Sequence, residues 1–358
     1  MTDTTKIKAK KFTYFIGIDV SKNKLDYAVM NGKTLLFHQE GKNEPDDILA
    51  FVTKLKTLKA FTIAKAVFCM EHTGIYCNHL LNSLKKIKAN IVVENSMHIK
   101  KSLGLTRGKN DKADSIRIAA YASKNKDELR LWVPRRQVLL DLMNLIAVRN
   151  RLLGFSMALN TPLKEETTFI KKRLQNQNKQ SCKKSAEAIK ADLTGVDLSI
   201  EMLIDADEHL KWLKQLITSV PCVGPITAIQ IMISTNEFKD IKSPKKFACY
   251  AGVAPFKNES GSSTSKAKVS PIANKKMKSL LHLCAIRALR CDAELKAYYI
   301  RKTETEGKAK LAVVNAIRCK LILRVFACVN QNRPFIKNYT RPNNPAASEL
   351  TKSLSLET

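Results

Sequence analysis

Two short apolar runs, each closing on an acid, set the first constraint on how this chain folds. Tyr14-Phe15-Ile16-Gly17-Ile18 runs into Asp19, and Ala66-Val67-Phe68-Cys69-Met70 runs into Glu71. Short apolar runs of this kind read as buried strands. Around them, strand and helix signals alternate over about residues 12–128. Strand one is expected from about Phe12 to Asp19, strand two from Leu25 to Met30, and strand three from Leu35 to Gln39, with Asn31-Gly32 as the hairpin turn. A helix should follow Pro45, with Ile48, Leu49, Val52 and Leu55 at helical spacing. Strand four is expected from Ala66 to Glu71, a helix near Tyr76 to Ile87, strand five from Asn90 to Glu94, and a last helix from near Asp111. The order β-β-β-α-β-α-β-α predicts an α/β layer with a mixed sheet, an antiparallel meander followed by crossover helices that feed parallel strands.

The pattern then changes to all-α. Over 129–217, Val138, Leu142, Leu145, Leu152 and Leu159 keep a 4-3 spacing, and Ile189, Leu193, Val196, Ile200, Leu203 and Leu210 form a second such seam. Two helices packed within one chain and pairing between chains fit these coiled-coil-like seams equally well. Pro162 and the polar stretch from Lys171 to Lys184 are expected to separate the helices. The region 218–332 is expected to be mostly helical. It opens on Val220-Pro221-Cys222-Val223-Gly224-Pro225, which resembles a helix-hairpin-helix turn with Cys222 where a glycine is usual. The tail, 333–358, has the composition of a disordered segment.

Charge narrows the partners. Sixty-two lysines and arginines face 32 acids, a formal net charge of +30. An excess of that size points to a polyanion. No stretch reaches the roughly 20 apolar residues of a membrane span, and the lysine-rich N-terminus lacks a signal peptide's apolar core, so a cytoplasmic, nucleoid-associated protein is expected. Nine scattered cysteines without a CxxC pair read as reduced thiols. His72, Cys77 and His79 lack a fourth ligand, so packing accounts for them better than zinc does.

Against that charge, four acids stand out. Asp19 and Glu71 end predicted strands, and Asp111 and Asp114, at i and i+3, share one face of a helix start. Carboxylates so grouped can hold two Mg²⁺ ions that clamp the oxygens of a phosphodiester, with Mn²⁺ as a possible substitute. Helix capping by Asp111 and a dipole preference for Asp114 are the structural alternatives. Capping leaves the acids ending two buried strands unexplained.

These segments resemble a known family. Tyr14-Phe15-Ile16-Gly17-Ile18-Asp19-Val20-Ser21-Lys22, Met70-Glu71-His72-Thr73-Gly74 and Lys109-Asn110-Asp111-Lys112-Ala113-Asp114 are similar, in order and spacing, to the three motifs of the DEDD insertion-sequence transposases. That family includes bridge-RNA-guided recombinases and site-specific DNA invertases. The resemblance implies a RuvC-like, ribonuclease-H-type domain whose metal ligands are Asp19, Glu71, Asp111 and Asp114.

In the C-terminal region a Gly/Ser-rich stretch, Asn258 to Ser265, is followed by Lys266, Lys268, Lys275, Lys276 and Lys278. Composition alone makes it a flexible connector. The phrase Ala251-Gly252-Val253-Ala254-Pro255 followed by Ser260-Gly261 resembles the family's transposase-domain signature, whose serine before the glycine is the proposed nucleophile. The carry-over falls on Ser260. Because Glu259 and Ser262 stand where many relatives have serine and glycine, Ser262 and Ser263 stay open. Lys109, Lys112, Gly224, Lys257, Lys266, Lys268, Lys275 and Lys276 are expected to lie against nucleic acid.

The resemblance implies a recombinase that mobilises an insertion sequence. Donor and target DNA, a structured guide (bridge) RNA and a homo-oligomer, from dimer to tetramer, would be its partners. Two other classes fit the residues: a Holliday-junction-type metal-dependent endonuclease that needs no serine, and a non-catalytic nucleic-acid-binding protein.

Overall fold

The computed structural model describes residues 12–103, 110–165, 169–260 and 263–337, while the side chains of 103, 257–260 and 263–266 lie outside that description. The chain divides after Pro134 into two units, Met1–Pro134 and Arg135–Thr358.

The first unit holds a five-stranded sheet. Its strands are β1 (Tyr14–Val20), β2 (Lys24–Asn31), β3 (Thr34–Lys42), β4 (Ala66–Glu71) and β5 (Asn90–Glu94), in the order β3-β2-β1-β4-β5. β1 pairs antiparallel with β2, and β2 with β3; β1–β4 and β4–β5 are parallel. The sheet is therefore mixed, as the alternation of signals predicts. Its helices are α1 (Pro45–Lys56), α2 (Asn78–Lys86), α3 (Ser96–Leu103) and α4 (Asp111–Lys124). The sequence reading did not expect α3. In α1, Leu49 is exposed and Phe51 takes the inward place, stacked 3.8 Å from Tyr27.

Successive strand side chains point to opposite faces. Ile16, Ile18, Phe68 and Met70 pack with Ile48, Phe51, Leu80 and Leu84 of α1 and α2. Phe15, Val67 and Cys69 pack instead with Ile118, Ala119 and Ala122 of α4. Each of the buried Ile, Leu, Val, Phe and Met side chains among these contributes about 1.5–3 kcal/mol relative to exposure. Gly17 lies on the α4 side, where a Cβ would stand 2.2 Å from the Ala119 nitrogen and the Ser115 oxygen. Only glycine lets α4 rest directly on β1. The alternation then carries Asp19 and Glu71 onto that same side.

The second unit is helical apart from one ribbon. α5 (Gln137–Glu165) and α6 (Lys172–Asp205) pack on each other within the chain, tied by Arg149 Nε to Asp197 at 2.5 Å. Two expectations are corrected here. Pro162 lies inside α5, in its last turn, so the one backbone bond that its missing N–H forfeits falls close to the helix end. The polar stretch read as a separator forms the first turns of α6, because its Lys, Arg, Leu and Gln residues are good helix formers. Next come α7 (Glu208–Thr218), α8 (Pro225–Thr235), α9 (Pro244–Tyr250), β6 (Pro255–Ser260), β7 (Ser263–Val269), α10 (Lys275–Cys291), α11 (Ala293–Ile300) and α12 (Lys310–Asn330). Phe247, Leu281, Ile317, Leu321 and Phe326 lie at the centre of this unit's core. The chain from 333 was expected to be disordered, but 333–337 packs back: the Phe335 amide donates to Ser219 Oγ at 2.8 Å, and Arg324 stacks on its ring. Residues 338–358 lie outside the described residues.

Candidate functional site

Strand register creates a row of acids. Glu40 stands opposite Asp26, Asp26 opposite Asp19, and Glu71 opposite Glu94. Asp19 and Glu71 each lie one step beyond the paired Ile18 and Met70. Five carboxylates thus occupy one level across all five strands, near the start of α4. Sequence reasoning found Asp19 and Glu71 but missed Asp26 and Glu40, which end no apolar run, and Glu94, which closes the short run Ile91-Val92-Val93.

α4 brings the other two predicted acids to this edge. Its cap is Asn110, whose Oδ1 accepts from the Ala113 amide at 2.6 Å. Asp111 therefore does not cap the helix, and the alternative account of it fails. Asp111 instead receives Lys24 Nζ at 3.0 Å, while Asp114 receives Arg117 at 2.7 Å. Lys24 also meets the buried Asp26 at 3.0 Å and Glu40 at 3.6 Å; Asp26 has His38 Nε2 as a second partner at 3.0 Å.

The four predicted acids act on one another electrostatically. Asp19 is pushed up to about 6, first by burial and then by the charges of Asp111, Asp114, Asp26 and Glu71. The part of that rise that comes from neighbouring negative charges shows several acids within electrostatic reach of Asp19, an arrangement that a cation would relieve. The donor set is all oxygen, which suits a hard divalent ion. As placed, no three His, Cys, Asp or Glu side chains stand at ligand spacing among the described residues. The Lys24 and Arg117 contacts draw Asp111 and Asp114 to other partners, so ligation requires them to turn. Cys77 is buried, with its sulfur 3.1 Å from Thr73 Oγ1, in keeping with a packing role.

The second unit carries Ser260. The stretch read as a connector is a ribbon in which Ser260 pairs with Ser263 and Glu259 with Thr264. Residues 261–262 lie outside the described residues. The ribbon's ends are pinned. Asn315 Nδ2 donates to the Val253 carbonyl at 2.7 Å, and Asn274 Nδ2 donates to the Tyr250 hydroxyl at 2.7 Å. Gly252 has φ +65°, and a Cβ there would meet the Ala273 Cβ at 2.2 Å, so glycine is obligatory in that phrase.

The expected nucleic-acid residues fall as follows. Lys112 and Lys268 are exposed, and Lys275 and Lys276 open α10. Surrounding protein first, then the Arg149 charge, lower the Lys276 ammonium below the usual lysine value. Gly224 caps α8 in open space. The Lys257 and Lys266 side chains and all of Lys109 lie outside the described residues.

Comparison with known proteins covers both units. Residues 16–182 match a family model described as "Transposase", of the DEDD type, and residues 214–300 match "Transposase IS116/IS110/IS902 family". The chain is 25% identical over 334 residues to the pilin gene-inverting protein of Moraxella lacunata, covering 90% of this chain and 98% of that one. It is likewise 25% identical over 337 residues to the Moraxella bovis pilin gene-inverting protein, with the same coverage. A Streptomyces coelicolor insertion-element IS110 protein is 26% identical over 133 residues, 36% of this chain and 32% of that one. Among the described residues, no helix is long and apolar enough to cross a membrane.

Proposed function

The chain belongs to the IS110-type transposases, and from that premise we propose that it cleaves and rejoins DNA with two sets of residues, one carried by each unit. The first unit, with a RuvC-like reading of its mixed sheet, supplies Asp19, Glu71, Asp111 and Asp114. The second supplies Ser260. Divalent ions held by the four acids, Mg²⁺ or Mn²⁺, would polarise the phosphodiester and stabilise the leaving oxygen. Ser260 Oγ would give up its proton and attack phosphorus, so that an Oγ–P bond forms, the P–O bond to the deoxyribose breaks, and the displaced oxygen takes up a proton in exchange. Reversal onto a second strand's hydroxyl rejoins DNA and frees the serine. The observation that carries this reading is geometric: Asp19 and Glu71 lie at the ends of neighbouring parallel strands on the side of the sheet that carries α4, whose first turn holds Asp111 and Asp114.

Lys275 and Lys276 add support. Lysines in the first turn of a helix oppose its dipole, so they cost α10 stability there. Stabilising a nearby phosphate gives them a reason to stay. The basic face of α6 suits a structured guide RNA, and exposed Phe155, Met157, Leu198 and Met202 on α5 and α6 suit pairing between copies, from dimer to tetramer.

The test uses labelled donor duplex, copurified RNA and Mg²⁺, resolved on denaturing gels. Wild type should give a protein–DNA adduct that Ser260→Ala abolishes while metal binding persists. Cutting by Ser260→Ala without an adduct would replace this reading with a metal-dependent endonuclease. Sequencing of that RNA should return one discrete transcript; random fragments would remove the guide from the scheme.

A further inference from the structure

Lys24 is the cation on the acid face that touches a proposed metal ligand and a buried acid together, and the proposed chemistry does not use it. It lies on β2, two residues before Asp26, on the side of the sheet that carries α4. Its ammonium reaches three carboxylates from three elements: Asp26 of β2 at 3.0 Å, Asp111 of α4 at 3.0 Å and Glu40 of β3 at 3.6 Å. The first two contacts differ in kind. Asp26 is buried, with its side chain 2% exposed, and is fixed further by His38. The Asp111 side chain is 51% exposed and sits in the first turn of α4. A buried carboxylate needs its partner; an exposed one can change partners at little cost. The lysine therefore has one firm anchor and one exchangeable contact, and the exchangeable one is a proposed metal ligand.

We propose that Lys24 is a positioning residue, a built-in cation that occupies Asp111 until a divalent ion displaces it. In the metal-free protein its charge offsets the repulsion among Asp19, Asp26, Asp111 and Asp114 and holds the α4 N-terminus against the sheet edge. An incoming ion must take Asp111 from the ammonium, which stays tethered by Asp26. Lys24 thus sets how much divalent ion the edge needs before it loads. This inference rests on the four acids being the metal site.

The experiment is calorimetric titration of the full-length protein with Mg²⁺, and separately with Mn²⁺, paired with thermal melts in chelator and in metal. Lys24→Met and Lys24→Gln remove the charge, and glutamine still donates to Asp26. Lys24→Arg keeps the charge. Loss of one competing unit charge should tighten binding about tenfold in both neutral variants, lower the metal-free melting temperature and enlarge the rise that metal gives. Lys24→Arg should titrate like wild type. If wild type binds metal and the neutral variants bind it equally or more weakly, Lys24 does not compete and the inference fails. If wild type binds none, it is the metal site that fails.

Discussion

Asp19 and Asp26 face each other across the antiparallel β1–β2 ladder, on the side of the sheet that carries α4. Lys24 and His38 attend Asp26, and the Asp26 charge is one of those that raise Asp19 to about 6. An ordinary aspartate loses its proton near 3.8. Between about pH 4 and 6 the folded state therefore binds more protons than the unfolded one, and stability falls as pH rises, levelling off above about 6. Asp19→Asn removes this slope. In chelator at pH 7.5 the variant should be more stable than wild type by about 1–2 kcal/mol, a shift discounted for partial exposure. Urea melts across pH 4–8 measure it, and a less stable variant at pH 7.5 would contradict the crowding of acids at this edge. Its Mg²⁺ binding should also be lost.

Gly17 couples the first motif to the third. With Ser115 and Ala119 against its Cα, any side chain pushes α4 off β1, and α4 carries Asp111 and Asp114. Gly17→Ala should cost about 3 kcal/mol or more, as overpacking against backbone does. In whatever protein remains folded, Mg²⁺ affinity should drop together with stability. Titration at a temperature well below the variant's melting point checks this. Unchanged affinity would mean that α4's seating does not position the acids.

The strands that end on acids could be read directly, because a short apolar run closed by a charge fits a buried strand that reaches the sheet's edge and fits little else. β4 and β5 fall where the sequence placed them, and the mixed order follows from hairpin and crossover signals. Cross-strand register could not be read, so Asp26, Glu40 and Glu94 were invisible as members of a row. The partner of Asp111 was hidden too: a lysine two residues from a buried acid looks like any solvated charge. In the second unit the β6–β7 ribbon was missed because its pairing is made by backbone, and serine-rich sequence carries no apolar alternation. The separator drawn at Lys171 failed for the opposite reason, since polarity was taken for a break where helix propensity persists.

Cys222 sits in the turn between α7 and α8 with φ +70°, the left-handed region that glycine enters freely. The helix-hairpin-helix likeness has glycine at this place, and the backbone agrees with the likeness although the residue does not. Cys222→Gly relieves a strain of about 1 kcal/mol, partly offset by the greater freedom of glycine in the unfolded chain. Stability should hold or rise by up to about 1 kcal/mol, read from denaturant melts. A clear loss would show that the Cys222 side chain packs in a way that outweighs its backbone strain.

Arg136, at the start of α5, ties together two distant parts of the second unit. Its Nε donates to Glu237 at 2.9 Å, and its two terminal nitrogens donate to Asp207, at 2.6 and 3.0 Å. Asp207 also caps α7 through the Leu210 amide, and the Arg136 hydrogen bonds hold its carboxyl below the usual range. The Glu237 side chain is fully buried in a run, Asn236-Glu237-Phe238, whose φ values of 50°, 56° and 64° are all left-handed. Three such non-glycine residues in a row need strong outside support. Lys239 at 3.0 Å and His209 at 3.5 Å leave Glu237 some compensation if Arg136 is lost. Arg136→Met should therefore cost about 3 kcal/mol, at the low end for breaking a buried pair. Glu237→Gln in the same chain should recover part of that cost, because the stranded charge is gone. Urea denaturation of the two single variants and the double variant closes the cycle. Strict additivity would mean that the arginine holds the left-handed run through packing, with no contribution from its charge.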